Sequence, residues 1–197
     1  MTAPTYEEAR EALRQRLGDK ALRHCDAVAD AAAALAAVYG VDRETARLAG
    51  LLHDWCRETG HDGLLDAAQR CGIEVTTVDR VRPYLLHGPV GAAELECSFP
   101  GMAPEILRAV SAHTFGAEDM SDLDRVIYIA DMIEPHRSYD GVEELREQVG
   151  HSSLHELMRA AYARSITHLV ARGRPLHPRT LAVWNSLVAG ADRVGRV

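Results

Sequence analysis

The sequence predicts an all-α fold, and three observations carry that expectation. Apolar residues recur at helical spacing in segments closed by Gly, Pro, Asp or Ser, no stretch alternates with period two, and no hairpin dipeptide joins two apolar runs. At 197 residues, 47% hydrophobic and 26% charged, the chain suits one domain with a substantial core. We expect a single helical-bundle domain over 1–197, its core at about 19–188, with a helical extension at 1–18 and a flexible tail at 190–197.

The elements follow in order. Residues 6–17 have helical composition, and 19–39 read as one long helix, with Asp19 as a cap, Leu22, Val28, Leu35 and Val38 on its apolar stripe and Gly40 as its stop. Asp42 caps a helix over 43–57, and Asp62 opens another that runs to Cys71-Gly72. Thr76 to Val81 is a short helix or turn before Pro83, and the β-branched run at Val75 is too short to make a strand. A helix over 90–98 follows Gly88-Pro89, and Pro104 sits at the start of one over 104–113. Ser121 to Glu134 is strongly apolar and stops at Pro135. A short helix at Val142 to Val149 precedes a long one at 152–172, closed by Gly173, and a last one over 178–189 has Pro178 in its first turn.

Composition narrows the function. A net charge of −7 and few aromatics (two Phe, two Trp, six Tyr) argue against a nucleic-acid surface. The four cysteines, Cys25, Cys56, Cys71 and Cys97, have no C-x-x-C spacing and read as reduced thiols of a cytoplasmic protein. No apolar stretch approaches the length of a membrane span, and the polar start argues against export.

The candidate chemistry begins at His53-Asp54, which ends the small-residue run Ala46 to Leu52. A buried carboxylate is costly unless paired or coordinated, and neutral imidazole is the commonest metal ligand. Read alone, the dipeptide also fits an Asp facing water beside a core His. His24 shares a face with Val28, Ala31 and Leu35 and so points inward. Asp131 interrupts the apolar run Val126 to Ile133, where it needs either a metal or a partner such as Arg137. Together His24, His53, Asp54 and Asp131 offer mixed nitrogen and oxygen ligation suited to Fe, Mn, Co or Zn. His87 and His113, from other segments, could serve a second ion bridged by Asp54 or donate hydrogen bonds to phosphate. Arg57, Arg137 and the basic loop Arg172-Gly173-Arg174-Pro175-Leu176-His177 suggest an anionic substrate, since forked guanidinium groups match phosphate geometry. His61, His151, His155 and His168 read as surface or structural.

The order His24, His53-Asp54, Asp131 resembles the HD-domain metal-dependent phosphohydrolases. Five motifs narrow the resemblance: Gly50 to Trp55, His87-Gly88-Pro89-Val90-Gly91-Ala92, Ala112-His113-Thr114, Asp124 to Pro135 and Gly173 to Pro178 look like the YqeK family, the symmetrical bis(5′-nucleosyl)-tetraphosphatases. The likeness covers about Lys20 to Leu187. It implies an all-helical HD fold and hydrolysis of diadenosine tetraphosphate to two ADP by metal-bound hydroxide, with iron, as one or two ions, as the expected metal. Carried over by motif, His24, His53, Asp54 and Asp131 are the implied metal ligands, with Asp54, His87 and His113 catalytic. His87, His113 and Thr114 would lie at the phosphates or a second ion, while Arg57, Arg137 and the 172–177 loop would hold nucleotide, and Phe115 is a candidate to stack on a base. Two positions depart from the family: Ala21 stands where an Arg is common, and Arg57 where a Lys is.

Two other readings stay open. One is an HD phosphohydrolase for a guanosine polyphosphate, a dNTP or a nucleoside monophosphate; the other is a non-catalytic nucleotide-binding regulator. A helical adaptor working through 179–189 ranks last, and a homodimer is left open.

Overall fold

The computed structural model describes residues 4–194, and within them every regular element is a helix. Helix α1 (Tyr6–Arg14) leads into α2 (Asp19–Tyr39), α3 (Arg43–Leu52), α4 (His61–Arg70) and α5 (Thr77–Val81). A 3₁₀ turn (Pro83–Leu86) joins α5 to α6 (His87–Ser98), followed by α7 (Pro104–Ala112) and α8 (Asp122–Ile133). The chain finishes with α9 (Val142–Glu147), α10 (Leu154–Ala171) and α11 (Pro178–Val194). Among the described residues no helix is long and apolar enough to cross a membrane.

Local sequence sets the ends. Thr5, Thr76, Ser121 and Ser153 each accept the N3 backbone N–H while the N3 carboxylate bonds back to the cap, closing capping boxes on α1, α5, α8 and α10. Gly40 terminates α2 at φ 75°, a left-handed conformation that suits glycine.

The site is positioned by the pairing of α2 with α3. Ala29, Ala32, Ala36, Ala46 and Ala49 are all fully buried, and a Cβ on Gly50 would come within 3.0 Å of both Ala29 Cα and Val28 O. Only a small-residue seam allows two helices this close. Helix α8 also packs on this pair, with Val126, Ile127, Ile129 and Ala130 wholly buried, and so carries Asp131 toward the ends of α2 and α3.

Several expectations change. Within the helical extension expected at 1–18, Ala9, Leu13 and Leu17 join the same hydrophobic core as the rest of the described residues. Helix α3 stops at Leu52 rather than 57, because Trp55 and Arg57 donate to carbonyls three residues back (Leu52 and Asp54) and the chain coils into tight turns. Helix α6 starts at His87, three residues before its expected start at 90; Pro89 falls in the first turn, where no backbone donor is required. Val38 is 49% exposed rather than core. Helix α11 runs to Val194, beyond the expected 189, so the tail expected from 190 starts as helix; residues 195–197 lie outside the described residues.

Candidate metal centre

Three imidazoles owe their orientation to helix ends. The last carbonyls of a helix lack intrahelical partners. His53, just past α3, donates its Nδ1–H to Gly50 O at 2.7 Å, and His113, just past α7, donates to Val110 O at 2.7 Å. His87, following the 3₁₀ turn, does the same to Tyr84 O at 2.6 Å. His24 lies within α2 and uses a side chain instead, its Nδ1 standing 3.2 Å from Glu134 Oε1. All four Nδ1 atoms are thus occupied, so each neutral ring turns an Nε2 lone pair inward, the arrangement that metal-binding histidines adopt.

These nitrogens converge on Asp54. Its Oδ2 lies 3.2 Å from His53 Nε2 and 3.5 Å from His24 Nε2, while its Oδ1 lies 3.1 Å from His87 Nε2 and 3.6 Å from His113 Nε2. Asp131 Oδ1 completes the first group, 3.0 Å from His24 Nε2 and 3.8 Å from His53 Nε2. The donors therefore form two sets, His24–His53–Asp131 and Asp54–His87–His113, with Asp54 between them.

The donor set suits a cation. His24 Nε2, His53 Nε2 and Asp54 Oδ1 are buried without a hydrogen-bond partner, which a bare protein interior seldom tolerates. His87 Nε2 and His113 Nε2 stand 2.9 Å apart, and since both rings donate through Nδ1, the two facing lone pairs need a shared proton or ion. That spacing suits neighbouring ligands on one ion with bonds of about 2.1 Å.

The electrostatics point the same way. Burial pushes the Asp54 carboxyl up, but His53 and the neighbouring rings of His113 and His87 outweigh it and hold it well below the usual range. Burial likewise opposes ionisation of Asp131, and His24, His53 and Arg137 overcome it, so both acids are carboxylates. His87 is lowered, mainly by burial, and is neutral as a ligand must be. In His24 burial is outweighed by Asp131 and Asp54, and its pKa is raised.

Around this centre lie the expected substrate groups. Arg57 donates to Asp54 Oδ2 at 2.6 Å, and Arg137 bonds Asp131 through both its carboxylate and its backbone carbonyl. The alternative partner for Asp131 is thus also present. Thr114 Oγ1 is buried and unpartnered, and a Cβ on Gly88 would come within 3.0 Å of it. The loop Arg172, Gly173, Arg174, Pro175 and Leu176 is exposed and is not hydrogen-bonded to the ligands. His177 corrects the expectation of a ligand-facing donor: it is buried against Asp79, with Nε2 3.3 Å from Asp79 Oδ2. Phe115 is corrected too, since it is buried and stacks on His177 (centroids 4.1 Å apart) instead of offering a face to a base.

Three neighbours were not singled out from sequence. Glu134 is buried and accepts from His24 and, at 2.6 Å, from the His136 backbone N–H. Tyr84 packs its ring against His87, centroids 4.6 Å apart, and remains 38% exposed at the mouth of the site. Cys25 lies within reach of His53 and Asp54, but burial raises its thiol well above the ordinary value, so it packs as a neutral side chain. The spacing Asp131-Glu134, one helical turn, was the available signal for the first of these. All four cysteines are free.

An all-helical bundle with a His–His-Asp–Asp centre defines an HD-domain protein, and residues 21–136 match the HD domain family. Across almost its whole length the chain resembles proteins named bis(5′-nucleosyl)-tetraphosphatase, symmetrical. It is 30% identical to that of Bacillus subtilis (94% of this chain, 98% of the relative) and 29% identical to that of Staphylococcus aureus (95% and 97%). A crystal structure from Clostridium acetobutylicum, described as a predicted HD superfamily hydrolase involved in NAD metabolism, superposes with a TM-score of 0.89 at 32% identity, covering 95% of this chain and 99% of that one. The chain belongs to the YqeK family of HD-domain hydrolases, the symmetrical bis(5′-nucleosyl)-tetraphosphatases.

Proposed function

We propose that the protein hydrolyses diadenosine tetraphosphate symmetrically to two ADP, with one or two divalent ions, iron foremost and Mn, Co or Zn as alternatives, held by His24, His53, Asp54 and Asp131. The observation that carries this is the placement of the two Asp54 oxygens, one facing His24 and His53 and the other facing His87 and His113. Ions so held would acidify a coordinated water and offset charge on the phosphoryl oxygens. The names of the near-full-length relatives supply the substrate class.

The chain's own groups do the rest. Asp54 and Asp131 are ionised, so they can meet a cation without first losing a proton. Arg57 and Arg137 pair with Asp54 and Asp131, and with a cation held by those carboxylates their forks would be available to phosphate oxygens. Thr114 Oγ1 has a proton to donate and no partner among the described residues. His53, Asp54, His87 and His113 are themselves buried, which strengthens each charge interaction among them. A reducing cytoplasmic setting fits the free thiols.

The test is metal analysis of anaerobically purified protein, followed by product identification on a panel of nucleotides. Diadenosine tetraphosphate giving only ADP is expected; AMP plus ATP, or turnover of dNTPs or guanosine polyphosphates alone, would reject the assignment. Asp54→Ala should abolish turnover and reduce metal content, and an active, metal-replete variant would reject it equally.

A further inference from the structure

Outside the metal centre the structure buries a second pair of ionisable side chains, Asp79 and His177, from segments 98 residues apart. His177 Nδ1 accepts the Arg179 backbone N–H at 3.2 Å, so its proton sits on Nε2 and points to Asp79 Oδ2 at 3.3 Å and Thr76 Oγ1 at 3.2 Å. Oδ2 also accepts the Thr76 N–H (2.9 Å) and hydroxyl (2.7 Å), whereas Oδ1 is buried with no partner. Capping α5 needs only the bonds to Thr76. The bond to His177 reaches further.

One imidazole thereby joins three parts of the fold. Its Nε2 fixes the start of α5, which leads into the 3₁₀ turn bearing Tyr84 and so to His87. Its face stacks on Phe115, which follows His113 and Thr114. Its backbone ends the exposed loop of Arg172 and Arg174, whose guanidinium groups make no ion pair among the described residues. Two unpaired cations are thus hung from a buried clamp whose other contacts are the segments that supply His87 and His113.

We propose that Asp79 and His177 are positioning residues that present Arg172 and Arg174 to the phosphates of a nucleotide at the centre, and that Asp79 sets substrate affinity without touching substrate. This rests on the nucleotide phosphohydrolase reading above. Asp79→Asn with its oxygen in the Oδ2 position keeps the α5 cap and leaves a neutral oxygen toward the ring in place of the carboxylate; His177→Ala removes the ring and leaves the cap intact.

The experiment uses the full-length, metal-loaded protein. In each variant KM for diadenosine tetraphosphate and Kd for ADP rise roughly tenfold, the size expected for losing one hydrogen bond to a charged group, while kcat stays within about twofold and metal stoichiometry holds. The double variant matches either single one, because the two side chains act as a unit. Tryptic cleavage after Arg172 quickens in all three. Unchanged KM and Kd, an unchanged tryptic rate, or kcat and metal content falling together would overturn the proposal. Were the wild-type protein unable to hydrolyse the dinucleotide, the function reading would fall while the ADP affinities and tryptic rates still decided this one.

Discussion

Glu134 offers a direct test of how the ligands are held. Its carboxylate is buried and accepts the His24 Nδ1–H with one oxygen (3.2 Å) and the His136 N–H with the other (2.6 Å). In Glu134→Gln a single carbonyl oxygen replaces two acceptors, and the amide then aims a donor either at His136 N–H or at His24 Nδ1–H. The conflict is relieved most simply by moving the His24 proton to Nε2, which removes its lone pair from the centre. A hydrogen bond to a charged group contributes about 1.5–3 kcal/mol, and loss of such outer partners lowers metal affinity by roughly 10–100-fold. The assay is chelator competition with Fe²⁺, Mn²⁺ or Co²⁺ under anaerobic conditions, with far-UV circular dichroism to confirm folding. A folded Glu134→Gln protein that binds metal as tightly as wild type would refute the claim that Glu134 sets the His24 tautomer.

Two stability predictions accompany it. Gly50→Ala forces a methyl to within 3.0 Å of the α2 backbone, and overpacking of this kind costs about 1–3 kcal/mol, a fall in Tm of roughly 2–12 °C by thermal melting; an unchanged Tm would show that the seam can open. Glu8, Asp42 and Glu156 are held below their ordinary pKa by hydrogen bonds from Thr5, Thr45 and Ser153 at helix starts. A lowered carboxylate stabilises above its unfolded value, here 4.5 for Glu and 3.8 for Asp, and the benefit disappears as pH falls through the folded value. Tm should therefore drop as pH falls from about 5 toward about 3; a flat profile over that range would remove the caps from the account.

What could be read in advance depended on contrast. His24, His53, Asp54 and Asp131 stood out because each interrupts an apolar helical stripe, and the structure brings all four together. Glu134 was overlooked because a carboxylate beside Pro135 at a helix end is ordinary, and nothing local reveals that His24, 110 residues away, bonds to it. Tyr84 was hidden in a 3₁₀ turn too short to have a pattern. Ala9 and Leu13 lie one turn apart on one face of α1, but two apolar residues among charged neighbours do not reveal the packing against α2 and α3 that makes them core. His177 read as part of a basic loop, and its inward turn is decided by Asp79, far away in sequence.

The three histidines whose Nδ1–H bonds end on the carbonyls of Gly50, Tyr84 and Val110 share a kind of insurance. A backbone oxygen is present whatever side chain the codon specifies, so no point substitution at those three acceptor positions deletes the bond partner. His24 has no such protection, because its partner Glu134 is a side chain. Mutational fragility of the centre is therefore concentrated at one ligand of the His24–His53–Asp131 set. A loss of metal caused by a distant substitution should show itself there before it reaches Asp54, His87 and His113.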